Sequence, residues 1–114
     1  MKEYFSHNGF IVDTAGNVED AEPLIAQGTY KVIIQDLRIG PSSNHEGLRI
    51  VRMVHERSPE TRIVILTAYG LSEIEDEARL SGADAFLRKP QRLSQVAQVV
   101  RGLIESPRRW VPPA

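Results

Sequence analysis

The chain has 114 residues and a mass of 12.8 kDa, the size of one independently folding domain with a real core. Hydrophobic residues make up 41% and charged residues 25%, and 14 basic residues against 15 acidic ones leave a net charge of −1. This balance gives no support to nucleic acid or an anionic membrane as a partner. The absence of cysteine excludes disulfides, thiolate metal clusters and a cysteine nucleophile.

Targeting signals are also missing from the sequence pattern. The longest apolar run, residues 63–66, is far shorter than the roughly 20 residues that a membrane-spanning helix needs. The first ten residues, MKEYFSHNGF, lack the apolar centre of a secretory signal peptide. We therefore expect a cytoplasmic location and no membrane partner.

The first quarter of the chain predicts a helical fragment at residues 1–8 and a weak strand at 10–15, FIVDTA. Residues 16–27 carry a helix signal that is harder to place. Asn17 is a good N-terminal cap, but Pro23 would remove an interior hydrogen bond. We expect this helix to be short, or to begin late enough for Pro23 to fall in its first turn.

Three further strands are predicted at residues 31–37 (KVIIQDL), 62–68 (RIVILTA) and 84–89 (DAFLRK). The first two are continuously apolar, which is typical of parallel strands covered on both faces. Apolar residues at helical spacing follow each of them: Leu48, Val51 and Val54, then Leu71, Ile74 and Ala78 up to Gly82, then Leu93, Val96, Ala97, Val100, Leu103 and Ile104. This alternation predicts an α/β fold with a doubly wound parallel sheet, its three strong strands adjacent in chain order.

Polar side chains stand where these three strands end: Asp36, Thr67 and Lys89, the last followed by Pro90. In open parallel sheets the chemistry lies beyond the carboxyl ends of the strands, so we expect the three side chains to converge. A carboxylate that accepts a phosphoryl group, with a hydroxyl and an ammonium to bind its oxygens, is a sensible phosphoryl site. Each residue alone has an ordinary structural explanation, whereas the combination favours a site.

The stretches YKVIIQDLRIG, EGLRIVRMV, RIVILTAYG and SGADAFLRKP resemble, in order and spacing, the receiver domain of bacterial response regulators, which has a flavodoxin-like fold. The resemblance implies that Asp36 is the phosphoacceptor and Thr67 the switch hydroxyl. It also implies that Ala68 is the small residue that leaves room for the phosphoryl group, and that Lys89 is the phosphoryl-binding lysine. Phe86 falls at the aromatic switch position, with plain core packing as the alternative.

The sequence departs from this family at its start, where the first strand and its acidic cluster are missing. Glu3 is the only carboxylate in residues 1–9. The Mg²⁺ that the family binds would find Asp36 and the backbone carbonyl of Arg38, an incomplete site for an ion that needs octahedral oxygen ligands. We therefore expect Mg²⁺ binding to be weak or absent and phosphorylation impaired. A long loop at 37–47 is expected to bring His45 near the site.

The absence of a first strand would also leave the edge of residues 31–37 unpaired. An apolar edge of this kind pairs readily, so either residues 10–15 close the gap or a second chain covers it. We expect a homo-oligomer, with Tyr4, Phe5 and this edge at or near the contact.

Three functions compete on these observations. The first is a two-component phosphorelay receiver, whose implied partner is a sensor histidine kinase or a phosphotransfer protein. The second is a degenerate receiver that acts as a phosphorylation-independent interaction or dimerisation module. The third, a small enzyme or nucleotide-binding domain, is disfavoured because GxGxxG, GxxxxGK[ST] and a Ser/His/Asp set are missing. We expect no enzyme, one N-terminally truncated receiver-like domain at residues 1–105, and a tail or linker stub at 106–114 too short to bind DNA.

Overall fold

The computed structural model describes residues 1–28, 30–37, 41–67, 76 and 78–105, together with their side chains except those of residues 37 and 41–47. Three parallel strands form its sheet in the order β1-β2-β3: β1 at Val32–Leu37, β2 at Arg62–Thr67 and β3 at Ala85–Arg88. The predicted adjacency of the three strong strands is confirmed. The register sets Asp36 beside Leu66 and Leu66 beside Leu87.

Four helices with described bounds surround the sheet: α1 at Lys2–His7, α2 at Val18–Gln27, α3 at Pro41–Arg57 and α4 at Leu93–Glu105. Residues 76 and 78–80 are helical as well, whereas the rest of the helix predicted around Leu71 lies outside the described residues. No helix in the described part of the chain is long and apolar enough to cross a membrane.

The core has two layers because successive strand residues point to opposite faces of the sheet. On one face, α1 and α4 cover the α1/α4 cluster: Phe5, Leu66, Val96, Ala97 and Val100. On the other, α2 and α3 cover the α2/α3 cluster: Val18, Leu48, Ile50, Val51, Val54, Ile63, Ile65 and Ala78. Helices on both faces of a parallel sheet give the doubly wound α/β architecture that the alternation of elements predicted.

The fourth predicted strand, residues 10–15, is wrong: this segment has neither strand nor helix structure and does not pair with β1. It connects α1 on one face of the sheet to α2 on the other. Phe10 and Val12 pack against the α1/α4 cluster, while Ile11 is 99% exposed. A strand-like sequence therefore forms a connection between two helices here, because Phe10 and Val12 pack against the core although the segment has no strand to pair with.

Two helix starts also differ from the sequence-based expectation. Helix α2 begins directly after Asn17, whose side-chain oxygen accepts a hydrogen bond of 2.8 Å from the N–H of Asp20. The stabilisation from the Asn17 cap outweighs the loss of the one backbone hydrogen bond that Pro23, inside the helix, cannot donate. Helix α3 begins at Pro41, a position where proline loses no hydrogen bond. The predicted long loop is thus shorter, and His45 lies in a helix.

Candidate functional site

The clearest polar contact at the carboxyl end of the sheet joins Lys89 to Asp36. The Lys89 ammonium nitrogen lies 2.7 Å from each carboxylate oxygen of Asp36. The Lys89 side chain is 40% exposed and that of Asp36 is 45% exposed, so the pair is open to solvent and to a reactant. Of the three side chains expected to meet at this rim, these two are in direct contact.

The parallel ladder brings the pair together across 53 positions of sequence. Asp36 is near the end of β1, and Lys89 follows the last residue of β3. The backbone N–H of Lys89 donates a 2.7 Å hydrogen bond to the carbonyl of Thr67, which extends the β2–β3 pairing by one residue. The Lys89–Pro90 peptide bond is cis. From β3, the lysine side chain reaches across the end of β2 to β1.

Thr67 lies at the same rim but is covered. It is the last residue of β2, one position past the register partner of Asp36, and only 1% exposed. Phe86 is half-buried in β3 and packs against the α2/α3 cluster, a contact that suits either of its two proposed roles. The Thr67 hydroxyl and the Asp36 carboxylate thus belong to the ends of neighbouring strands.

Some predicted site residues lie outside the part of the chain that the structure describes. Ala68 and Arg38 are among them, so the predicted Mg²⁺-binding carbonyl of Arg38 has no described geometry. Among the described side chains, no group of three or more His, Asp or Glu residues is placed to hold a metal ion. Of the two predicted Mg²⁺ ligands, only the Asp36 carboxylate lies within the described residues.

Sequence reasoning missed one contact of Asp36 and the cavity beside Lys89. The side-chain amide of Gln35 donates a 3.4 Å hydrogen bond to the Asp36 carbonyl. The position of this polar residue within the apolar stretch KVIIQDL could have indicated such a contact. A mostly apolar cavity of about 250 Å³ borders the Lys89 stem. Its other lining residues are Met1, Leu66, Pro90, Gln91, Leu93 and Val96. Since its lining includes neither Asp36 nor Thr67, it does not enclose the polar site.

Comparison with known sequences identifies the family. Residues 1–101 match the model of the response regulator receiver domain. The chain is 32% identical over 87 residues to the response regulator protein PilR of Pseudomonas aeruginosa, covering 76% of this chain and 19% of PilR. It is 31% identical over 98 residues to the photosynthetic apparatus regulatory protein RegA of Cereibacter sphaeroides, covering 86% of this chain and 52% of RegA. The chain thus spans between a fifth and about half of these relatives.

Solved structures give the same answer for the fold. A response regulator from Thermotoga maritima matches with a TM-score of 0.79 and 25% identity, over 92% of this chain and 85% of the other. A response regulator from Burkholderia pseudomallei, solved with a phosphorylated aspartic acid, a calcium ion and citrate, matches with a TM-score of 0.78 and 25% identity, over 91% of this chain and 59% of the other. The sequence matches and the fold together show that this chain belongs to the response regulator receiver domain family of two-component signalling.

Proposed function

We propose that this receiver domain accepts a phosphoryl group on Asp36. The observation that carries the proposal is the contact of the Lys89 ammonium with both Asp36 oxygens at 2.7 Å. A solvent-exposed carboxylate at a strand end, held by a lysine from another strand end, is open to a donor and already has a cation beside it. Thr67 ends the neighbouring strand β2, where the family resemblance puts the hydroxyl that contacts the same group.

The chemical step balances with a donor that carries an activated phosphoryl group. One Asp36 oxygen forms a bond to phosphorus while the P–N bond of a phosphohistidine, or the P–O bond of an acyl phosphate, breaks. The leaving imidazole or carboxylate keeps the bonding electrons. Lys89 then has a phosphoryl oxygen within reach of its ammonium, so the same side chain neutralises charge before and after transfer.

The proposal includes a weak Mg²⁺ site. Receiver domains commonly bind Mg²⁺, which needs near-octahedral oxygen ligation from carboxylates, carbonyls, water and phosphate. The described residues do not fit that requirement, because they place no group of three or more His, Asp or Glu residues for a metal ion and both oxygens of Asp36 already contact Lys89. We expect affinity in the millimolar range or weaker and slow phosphorylation, with Lys89 the main positive charge at the acceptor.

The partner in this proposal is a phosphodonor protein, a sensor histidine kinase or a phosphotransfer protein. Support comes from the family, because response regulators are phosphorylated by histidine kinases. The relatives named above are regulatory proteins that extend well beyond the matched region. We propose that the receiver itself is a signalling module rather than an enzyme with a small-molecule substrate.

Incubation with acetyl phosphate, with and without Mg²⁺, tests the proposal. Intact-mass analysis should show slow addition of one phosphoryl group, lost in Asp36→Ala and retained in Asp84→Asn, a carboxylate substitution remote from the rim. Modification that persists in Asp36→Ala would reject Asp36 as acceptor. Fast modification that depends steeply on micromolar Mg²⁺ would keep Asp36 but overturn the weak metal site.

A second candidate function is a phosphorylation-independent interaction module, favoured by the unpaired edge of β1 in the described sheet. The homo-oligomer expected from the sequence stays a prediction. Phe5 is only 4% exposed within its own chain, so this expected contact residue is unavailable to a partner, whereas Tyr4 is half-buried. Light scattering of the wild type and of Asp36→Ala separates the candidates: equal association in both supports this one, and a monomer at high micromolar concentration contradicts self-association.

A further inference from the structure

Helix α1 ends in a turn that requires a glycine. The N–H of Gly9 donates to the Ser6 carbonyl at 3.4 Å. The N–H of Phe10 donates to the Phe5 carbonyl at 3.1 Å, and the two rings are in edge contact with centroids 5.3 Å apart. This pair of bonds with its apolar contact is a Schellman motif, and Gly9 occupies its left-handed position with a φ of +90°. The backbone of the turn therefore fixes glycine at residue 9.

The residue before this glycine is an asparagine, and both residues are exposed. An asparagine side chain and the backbone nitrogen of the next residue can close a succinimide ring, which a β-carbon on that next residue hinders. Gly9 has no β-carbon, and no atom beyond the neighbouring residues lies within 4 Å of where one would stand. Its hydrogen bond of 3.4 Å is long for a backbone N–H, where about 2.9–3.0 Å is usual. The Asn8 amide and the Gly9 nitrogen are thus both accessible.

Two contacts hold Asn8 in the native turn. Its side-chain amide donates a 2.7 Å hydrogen bond to the Tyr4 carbonyl, and its backbone carbonyl accepts a 3.0 Å bond from the Arg101 guanidinium. Ring closure requires the side chain and the peptide of Asn8 to rotate away from these partners. Both contacts are exposed and lie at the last turn of a six-residue helix, where local opening costs little free energy. The turn can therefore open without unfolding of the sheet.

We propose that Asn8 is a site of spontaneous deamidation, which converts residue 8 to aspartate and isoaspartate, and that the isoaspartate product disrupts the end of α1. The inference goes beyond the phosphoacceptor role of Asp36 and does not depend on it, because it involves no phosphoryl group.

The reaction needs only hydroxide as a base and water. The Gly9 nitrogen gives up its proton and forms a bond to Cγ of Asn8, while the Cγ–Nδ2 bond breaks and Nδ2 leaves as ammonia. Water then adds to one of the two carbonyls of the succinimide and breaks that carbon's bond to the Gly9 nitrogen. Addition at Cγ gives aspartate. Addition at the backbone carbonyl gives isoaspartate, in which the main chain runs through Cγ.

The two products differ in what they do to the turn. Either one removes the N–H that donates to the Tyr4 carbonyl and adds a negative charge at a helix C-terminus, where the helix dipole disfavours it. Arg101 already contacts residue 8, so its cation offsets part of this charge. Isoaspartate also lengthens the main chain by one carbon ahead of Gly9, which displaces Phe10 from Phe5. We therefore expect the hydrogen bond of the Phe10 N–H to be lost in the isoaspartate form only.

Incubation of the full chain at mildly alkaline pH tests the reaction, with peptide mapping and fragmentation that separate aspartate from isoaspartate. Asn17 is the internal control, since it is followed by Val18. The stiff, branched side chain of Val18 crowds its own backbone nitrogen, so residue 8 of the folded protein should be modified about tenfold or more faster than residue 17. Equal rates at the two positions would overturn the proposal. Modification of residue 8 only when urea unfolds the chain would overturn it too.

Gly9→Ala is the matched variant, because its β-carbon hinders ring closure, and it should slow modification of residue 8 by about tenfold or more. Gly9→Asn, which tolerates a positive φ and also has a β-carbon, replaces it if Gly9→Ala does not fold. An unchanged rate in the folded variant would reject the succinimide route through Gly9 and overturn the proposal.

Hydrogen exchange of the isoaspartate form, separated by ion-exchange chromatography, tests the effect on α1. The Phe10 amide should exchange about tenfold or more faster than in the unmodified chain, because its bond to the Phe5 carbonyl is lost. Asn8→Asp, which has the charge but not the longer main chain, should keep this amide protected. Unchanged protection of Phe10 in the isoaspartate form would overturn the predicted disruption of the helix end.

Discussion

Asp84 and Ile63 exchange two hydrogen bonds where strand β3 joins the sheet. The N–H of Asp84 donates to the Ile63 carbonyl at 2.8 Å, and the Asp84 carboxylate accepts from the N–H of Ile63 at 2.8 Å. The other carboxylate oxygen lies 3.7 Å from the Arg62 guanidinium, and both of these side chains are only 14% exposed. A single carboxylate therefore satisfies a buried backbone donor ahead of the first β2–β3 register pair.

Asp84→Ala should lower the free energy of unfolding by about 1–3 kcal/mol, because it leaves the buried Ile63 N–H without this acceptor. Asp84→Asn keeps an oxygen that can accept the bond and loses the contact of opposite charges, so it should cost less. Urea denaturation of the three proteins measures the difference. Equal losses in both variants would show that charge, rather than the hydrogen bond to Ile63, is what matters.

Gly82 should not tolerate a side chain. Its φ of +116° lies in the region that L-residues rarely adopt, and a β-carbon there would come within 2.6 Å of the His55 ring. Gly82→Ala is expected to cost about 1–3 kcal/mol of stability from strain and overlap together. In a His55→Ala background the overlap with the ring disappears, while the contact with the residue 55 β-carbon at 2.9 Å and the backbone strain remain, so the cost of Gly82→Ala should fall without vanishing. A cost that is the same in both backgrounds would assign it to the backbone and the β-carbon contact, not to the ring.

Local sequence patterns predicted most of the fold and two members of the site. Strands β1 and β2 are covered on both faces, so their continuous apolar composition was enough to predict them. The polar residues at their ends were predicted to converge because parallel strands end at the same edge of a sheet. The strand predicted at residues 10–15 was wrong because β-branched residues favour a strand only where a neighbouring strand can pair with them. The unpaired edge of β1 was expected from the sequence, but only the structure shows that residues 10–15 do not pair with it, since pairing is a long-range property.

The contact between Tyr30 and Asp13 should make stability depend on pH in the alkaline range. The hydrogen bond to the Asp13 carboxylate, followed by burial and the negative charge, raises the pKa of Tyr30 above 10.0. A group whose pKa is raised by folding contributes stability below its unfolded pKa, and that contribution is lost as pH rises through the folded value. The contact should therefore stabilise fully at pH 7 and fade above pH 10.

Tyr30→Phe should cost about 0.5 kcal/mol at pH 7, a small effect because the residue is only half-buried. Wild type and variant should converge in stability above the tyrosine pKa, as measured by urea denaturation at pH 7 and in the alkaline range. The difference between their absorbance titrations isolates Tyr30 from the other two tyrosines. A gap that stays constant with pH would contradict the hydrogen bond as its cause.

Lys89 should matter more for phosphoryl transfer than for stability. Its ion pair with Asp36 is 40–45% exposed, and pairs so open to solvent contribute about 1 kcal/mol or less. Lys89→Met keeps much of the apolar stem beside the cavity and removes the charge, so the free energy of unfolding should change little. The rate of Asp36 phosphorylation by acetyl phosphate should fall by about tenfold or more, since the developing charge loses its cation. Lys89→Arg retains a cation, so its phosphorylation rate should lie between the rates of the wild type and Lys89→Met. If Lys89→Met were phosphorylated at the wild-type rate, the ammonium would have no part in the transfer, and its contact with Asp36 would be a structural ion pair only.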